Sequence, residues 1–128
     1  LFPYTTLFRS DNDFDQGAAI LRERFPNIRL LNVTAGADGS YSYYQTHRVY
    51  QPSFRLGGTI ETTGAGDTFC ACALHYILEH GIRDLTEQDL YDLLTYANAA
   101  ASIITTRKGA LAVMPKDEEV KAFLEKNA

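Results

Sequence analysis

Apolar residues recur along this chain at two spacings, and the alternation between them predicts an order of elements. From Asp11 to Phe25, Phe14, Ala18, Leu21 and Phe25 fall near helical spacing with Ile20 beside them, leaving Arg22, Glu23 and Arg24 for solvent. An amphipathic helix ended by Pro26 is expected. Ile28 to Thr34 is then a short apolar run of strand length, and the turn sequence AGADG follows it. Ser40 to Tyr50, rich in Tyr, Thr and Val, reads as one or two further strands broken near Gln45 to His47. Gly57 and Gly58 mark a bend.

The helical period then returns. From Thr62 to Glu79 a Gly-rich turn runs straight into Phe69, Ala73, Leu74, Ile77 and Leu78 at helical spacing, which places Gly64 to Gly66 at a helix N-terminus. Beyond Gly81, Thr86 with Asp89 three residues later resembles a capping box. Leu90, Leu93, Leu94, Ala97 and Ala101 form the inward face of a long helix, expected to end near Arg107 to Gly109. The small residues from Ala97 to Ser102 let that helix approach a neighbour closely. Pro115 is expected to open a last helix at its first position, with Asp117, Glu118 and Glu119 in the first turn and Lys126 near the end. The sum is an α/β core with several strands and at least four helices.

Composition narrows the partners. With 128 residues and 45% hydrophobic content the chain is one globular domain or part of one. A net charge of −4 without a basic face argues against nucleic acid or an anionic membrane as the main partner. No apolar run approaches the roughly 18 residues of a membrane span. Cys70 and Cys72 lie too close on a helix to bridge each other, so a reducing, cytoplasmic setting is expected. Residues 1–10, LFPYTTLFRS, resemble a translated sequencing adapter and are expected to be non-native, with the natural sequence resuming at Asp11.

The chemistry concentrates at the second Gly-rich turn. A helix N-terminus offers unpaired N–H groups and the positive end of the dipole, so the amides of Gly64, Ala65, Gly66 and Asp67 suit a phosphoryl group. A carboxylate in such a turn repels phosphate, but serves as a base toward an attacking hydroxyl; Asp67 is the candidate. The alternative is that Asp67 only caps the helix. A Walker-type loop is absent, and Gly64 to Phe69 lacks the third glycine of a dinucleotide fingerprint. Cys70, Cys72, His75 and His80 read as core thiols and surface histidines rather than as metal ligands, because Cys-x-Cys on a helix points to different faces.

Three separated segments together resemble the C-terminal half of the PfkB, or ribokinase-like, carbohydrate kinases. Glu61 to Phe69 (ETTGAGDTF) is similar to the family's second signature, usually D-T-x-G-A-G-D-x-F. Thr34 to Gly39 (TAGADG) resembles its T-x-G-x-x-G turn, and Ala97 to Ala110 its A-x-A-A-A…T-R-K-G-A segment. The resemblance implies the C-terminal part of a three-layer α/β/α domain in residues 11–128, and ATP-dependent phosphorylation of a sugar hydroxyl by the parent enzyme. Fructose is the first expectation for the sugar, with ribose and 2-keto-3-deoxygluconate open; a non-catalytic nucleotide- or sugar-binding protein of the same fold is the alternative. Carried over by position, Asp67 is the catalytic base and Gly64, Ala65 and Gly66 form the anion hole. Thr34, Gly36 and Gly39 line the ATP phosphates, and Asn98 lies near the adenine. In relatives that need a monovalent cation, usually potassium, the acid at Glu61 and carbonyls near Thr63, Ile104, Arg107 and Gly109 surround it. Mg²⁺ arrives with ATP. A homodimer is an allowed assembly of the whole parent. Glu61 departs from the usual Asp. The sugar-binding signature belongs to an N-terminal half that this chain does not carry, so the chain alone is expected to be inactive.

Overall fold

The computed structural model describes residues 14–109 and 111–128, so the first ten residues, and the expected start of the first helix at Asp11, lie outside the described residues. The order is α1 (Phe14–Arg24), β1 (Leu30–Thr34), β2 (Ser40–Tyr44), β3 (His47–Gln51), α2 (Ala65–His80), α3 (Glu87–Ile104) and α4 (Asp117–Lys126), with 3₁₀ turns at Gly36–Asp38 and Leu111–Val113. The three strands form an antiparallel meander, β1-β2-β3. Its second turn falls where polar residues interrupt the strand pattern, with Gln45 in the left-handed region at φ 51°.

Register sorts the side chains onto two faces. Leu31, Tyr43, Arg48, Val33, Tyr41 and Tyr50 share one face, and Asn32, Ser42, Val49, Ser40 and Tyr44 share the other. The first face meets α1: Phe14 stacks on Tyr41 at 5.0 Å, and Asp15 accepts hydrogen bonds from Tyr43 (2.7 Å) and Arg48 (2.5 Å). The second packs on α3, where Tyr44 and Val49 join Leu90, Leu93, Leu94 and Ala97 in the main core, with Phe69 and Ala73 of α2 against them. Helix, sheet and paired helices therefore stack as three layers.

Small residues make the close contact between α3 and the sheet. Ala97 of α3 and Ser40 and Ser42 of β2 are all buried there, while Ala99 and Ala100 pack in a second cluster with Val120 of α4. Phe54 and Phe123 pack edge to face at 5.2 Å, joining the segment after β3 to α4.

Four sequence expectations are corrected. α3 stops at Ile104 rather than near Arg107, because the Thr105 and Thr106 hydroxyls take the Ser102 and Ile103 carbonyls at 2.7 Å while i→i+3 backbone bonds tighten the chain out of the helix. Pro115 lies two residues ahead of α4, which starts at Asp117. Cys70, expected as a core thiol, is exposed. Leu74 and Leu78, placed with the inward set of α2, are 61% and 83% exposed.

Candidate functional site

The first Gly-rich turn leaves β1 at Thr34 and folds back through the 3₁₀ turn, with the Ala35 N–H donating to the Gly39 carbonyl at 2.8 Å. Gly39 has a physical reason to be glycine. Its φ is +107°, and an added Cβ would lie 2.2 Å from the Gln51 carbonyl oxygen, so no side chain fits. Gly36, at φ +57°, faces open space.

The second turn delivers α2. Gly64 caps the helix at φ 86° and, having no side chain, leaves the first turn without a side-chain acceptor. The Ala65 N–H donates to the Thr62 carbonyl at 3.2 Å and the Thr68 N–H to the Gly64 carbonyl at 2.9 Å. Among the described residues, nothing accepts from the N–H groups of Gly66 and Asp67. Of the expected anion hole, Gly66 thus offers an open amide, Asp67 adds one, and Ala65 is already engaged. The Asp67 side chain is exposed and makes no hydrogen bond or ion pair among the described residues, so it does not cap its own helix.

The two turns and α3 enclose one hollow of about 320 Å³, lined by Thr34, Gly36 and Gly39, by Ala65 and Gly66, and by Asn98, Ala101, Ser102 and Thr105. All four residues expected at the nucleotide, and two of the three anion-hole residues, therefore face a single space. Gly64 and Asp67 are not among its lining residues. Sequence reasoning missed the segment from Ser53 to Leu56, which forms another wall together with Thr59 and Phe69. That segment carries no motif; only its position after β3 and the packing of Phe54 bring it there.

Asn98 is buried and its polar atoms are occupied. Its Oδ1 accepts the Ser40 hydroxyl at 2.8 Å, and its Nδ2 donates to the Gln51 and Pro52 carbonyls at 3.2 Å each. Both amide hydrogens are spent on the strand end. Asn98 lines the hollow, yet its side chain ties α3 to β2 and β3 and has no donor left for an adenine ring.

The expected cation ligands come together in part. The Ile60 and Glu61 N–H groups donate to the Thr105 carbonyl at 2.8 and 3.2 Å, which lays this segment along the end of α3. Glu61 accepts the Gly109 N–H at 3.4 Å. The Ile104 carbonyl accepts the Arg107 N–H at 3.1 Å, whereas the Arg107 guanidinium turns to the Val113 carbonyl and Glu119. Carboxylate and backbone carbonyl oxygens are the donors that a hard cation takes, and Glu61 and this stretch of backbone supply both kinds. Thr63 is exposed. Elsewhere on α2, burial and then the charge of Asp117 push the Cys72 thiol up to about 11.

A family model described as pfkB family carbohydrate kinase matches residues 6–117. Fructokinase-1 of Zea mays is 36% identical over 101 residues, which cover 79% of this chain and 31% of that protein. A ribokinase of Arabidopsis thaliana complexed with ribose and ATP superposes with a TM-score of 0.75 at 25% identity, covering 91% of this chain and 35% of that one. For a ribokinase from Giardia lamblia the TM-score is 0.77 at 25% identity, with 94% and 39% covered. The chain thus spans about a third of the length of the relatives it matches.

Proposed function

Because the chain belongs to the pfkB family of carbohydrate kinases, we propose that a whole protein carrying it transfers the γ-phosphoryl group of ATP to a sugar hydroxyl. One observation carries this reading: Asp67 stands exposed and unbonded at a helix N-terminus whose Gly66 and Asp67 amides are open, beside a hollow joining both Gly-rich turns. The hollow takes the nucleotide, with Thr34, Gly36 and Gly39 along its phosphates. Asp67 accepts the proton of the attacking hydroxyl; the oxygen bonds to the γ-phosphorus as the bond to ADP breaks, and the open amides balance the charge on the phosphoryl oxygens. Mg²⁺ enters with ATP. Glu61 and the carbonyls near Thr63, Ile104, Arg107 and Gly109 would hold a potassium ion, which would supply positive charge against that developing on the phosphoryl oxygens. Fructose is the proposed sugar, supported by the fructokinase likeness.

The chain by itself is proposed to be inactive. Leu74 and Leu78 on the outer side of α2, with Ile60 at 66% exposure, are apolar surface that the remaining two thirds of a family member would cover. The test is ATP-dependent phosphorylation of fructose, ribose and 2-keto-3-deoxygluconate by the whole protein and by this chain separately. Turnover of fructose by the whole protein alone is the expected result. No turnover of any sugar by the whole protein would leave a nucleotide-binding protein of the same fold.

A further inference from the structure

At the end of the sheet away from the hollow lies a recess of about 390 Å³ that shares no lining residue with it. Arg22 reaches it from α1, Arg29 from the approach to β1, Gln45 from the β2–β3 turn, and Arg83 and Asp84 from the α2–α3 loop. Arg22 is held in place, its Nη2 donating to the Gln45 carbonyl at 2.6 Å. Arg29 and Arg83 make no hydrogen bond or ion pair among the described residues, and Asp84 is the sole carboxylate in the lining. The Tyr44 hydroxyl is spent on the Ile82 carbonyl at 2.8 Å, so the recognition groups that remain are the guanidinium forks.

Three arginines line one recess against a single carboxylate, and in a chain of net charge −4 such a gathering is not a consequence of composition. A planar fork pairs two N–H groups with two oxygens of one phosphate. We propose that this recess binds a small phosphate-bearing anion, at a site separate from the nucleotide hollow and independent of the kinase reading. Arg22 forms the fixed wall, while Arg29 and Arg83 close on the anion.

Pyrophosphate titrated into the full chain, followed through backbone amide chemical shifts, tests this. Saturable shifts at Gln45, Arg83 and Asp84 are expected, weakening as salt is raised. The double variant Arg29→Gln, Arg83→Gln is expected to bind at least about tenfold more weakly. Arg29→Lys with Arg83→Lys, which keeps the charge and loses the fork, is expected to fall between them, and it carries the test if the glutamine variant does not fold. Shifts confined to Gly36 and Gly66, shifts that never saturate, or double variants that bind like the parent would overturn the proposal.

Discussion

Two helices of this chain carry an aspartate at the same place, three residues beyond the cap, and use it in opposite ways. In α3, Asp89 takes the Thr86 N–H at 2.8 Å and its hydroxyl at 2.7 Å, while the Asp89 N–H returns to the Thr86 oxygen at 3.1 Å. In α2, Asp67 takes nothing among the described residues, because its cap is Gly64 in the left-handed region rather than a hydroxyl residue in the extended one. Glu119 of α4, at the same position again, accepts the Lys116 N–H at 2.8 Å and so follows the α3 pattern. An acid at this position ordinarily stabilises its helix. α2 forgoes the hydrogen-bonded part of that stabilisation, and next to Asp67 it also buries the Thr68 hydroxyl without a partner, at a cost of about 1–3 kcal/mol. A helix start left open in this way is poor architecture and a good place for an anion and a base.

The largest effect that would break the comparison is chemical. Asp67→Asn in the whole protein is expected to lower kcat by about 10²–10⁴-fold with little change in ATP affinity, and to shift the melting temperature only slightly, since no hydrogen bond is lost and only the charge at the helix start goes. Near-normal turnover would remove Asp67 from its role. Next comes Asn98, whose three buried hydrogen bonds place it on the structural side of the divide. Asn98→Ala strands the Ser40 hydroxyl and two carbonyls, and a loss of about 2–4 kcal/mol is expected in denaturant unfolding. An unchanged midpoint would return Asn98 to the ligand-binding set. The smallest effect belongs to Asp89→Asn, about 1 kcal/mol at neutral pH with kinetics unaffected.

The pH dependence of that last variant sharpens the contrast. Hydrogen bonds from the Thr86 backbone first, and then from its hydroxyl, hold the Asp89 carboxyl below the usual carboxylate range. A group depressed on folding stabilises fully above its unfolded value, near 3.9, and loses that contribution as pH falls through the folded value. The gap in melting temperature between parent and Asp89→Asn is therefore expected to be widest near pH 7 and to shrink toward pH 2. A gap independent of pH would mean that the carboxylate is not what caps α3.

Local chemistry was enough to read most of the elements and the site motifs. The α3 capping box, the break at Gln45, the helix stop before Pro26 and the glycines ahead of α2 each follow from neighbours in sequence, as dihedral preference and short-range hydrogen bonds do. Periodicity alone also paired Phe69 and Ala73 correctly with the core. It erred at Leu74 and Leu78 because helical spacing shows that apolar residues share a side, not whether anything in this chain covers that side. Likewise, Asn98 was legible as a residue of the hollow, whereas its employment was decided by Ser40, Gln51 and Pro52, some fifty residues away in sequence. The Ser53 to Leu56 wall, the arginine recess and the freedom of Asp67 belong to the same class. Each depends on which distant backbone groups the fold brings within hydrogen-bonding reach, and only the tertiary structure sets that distance.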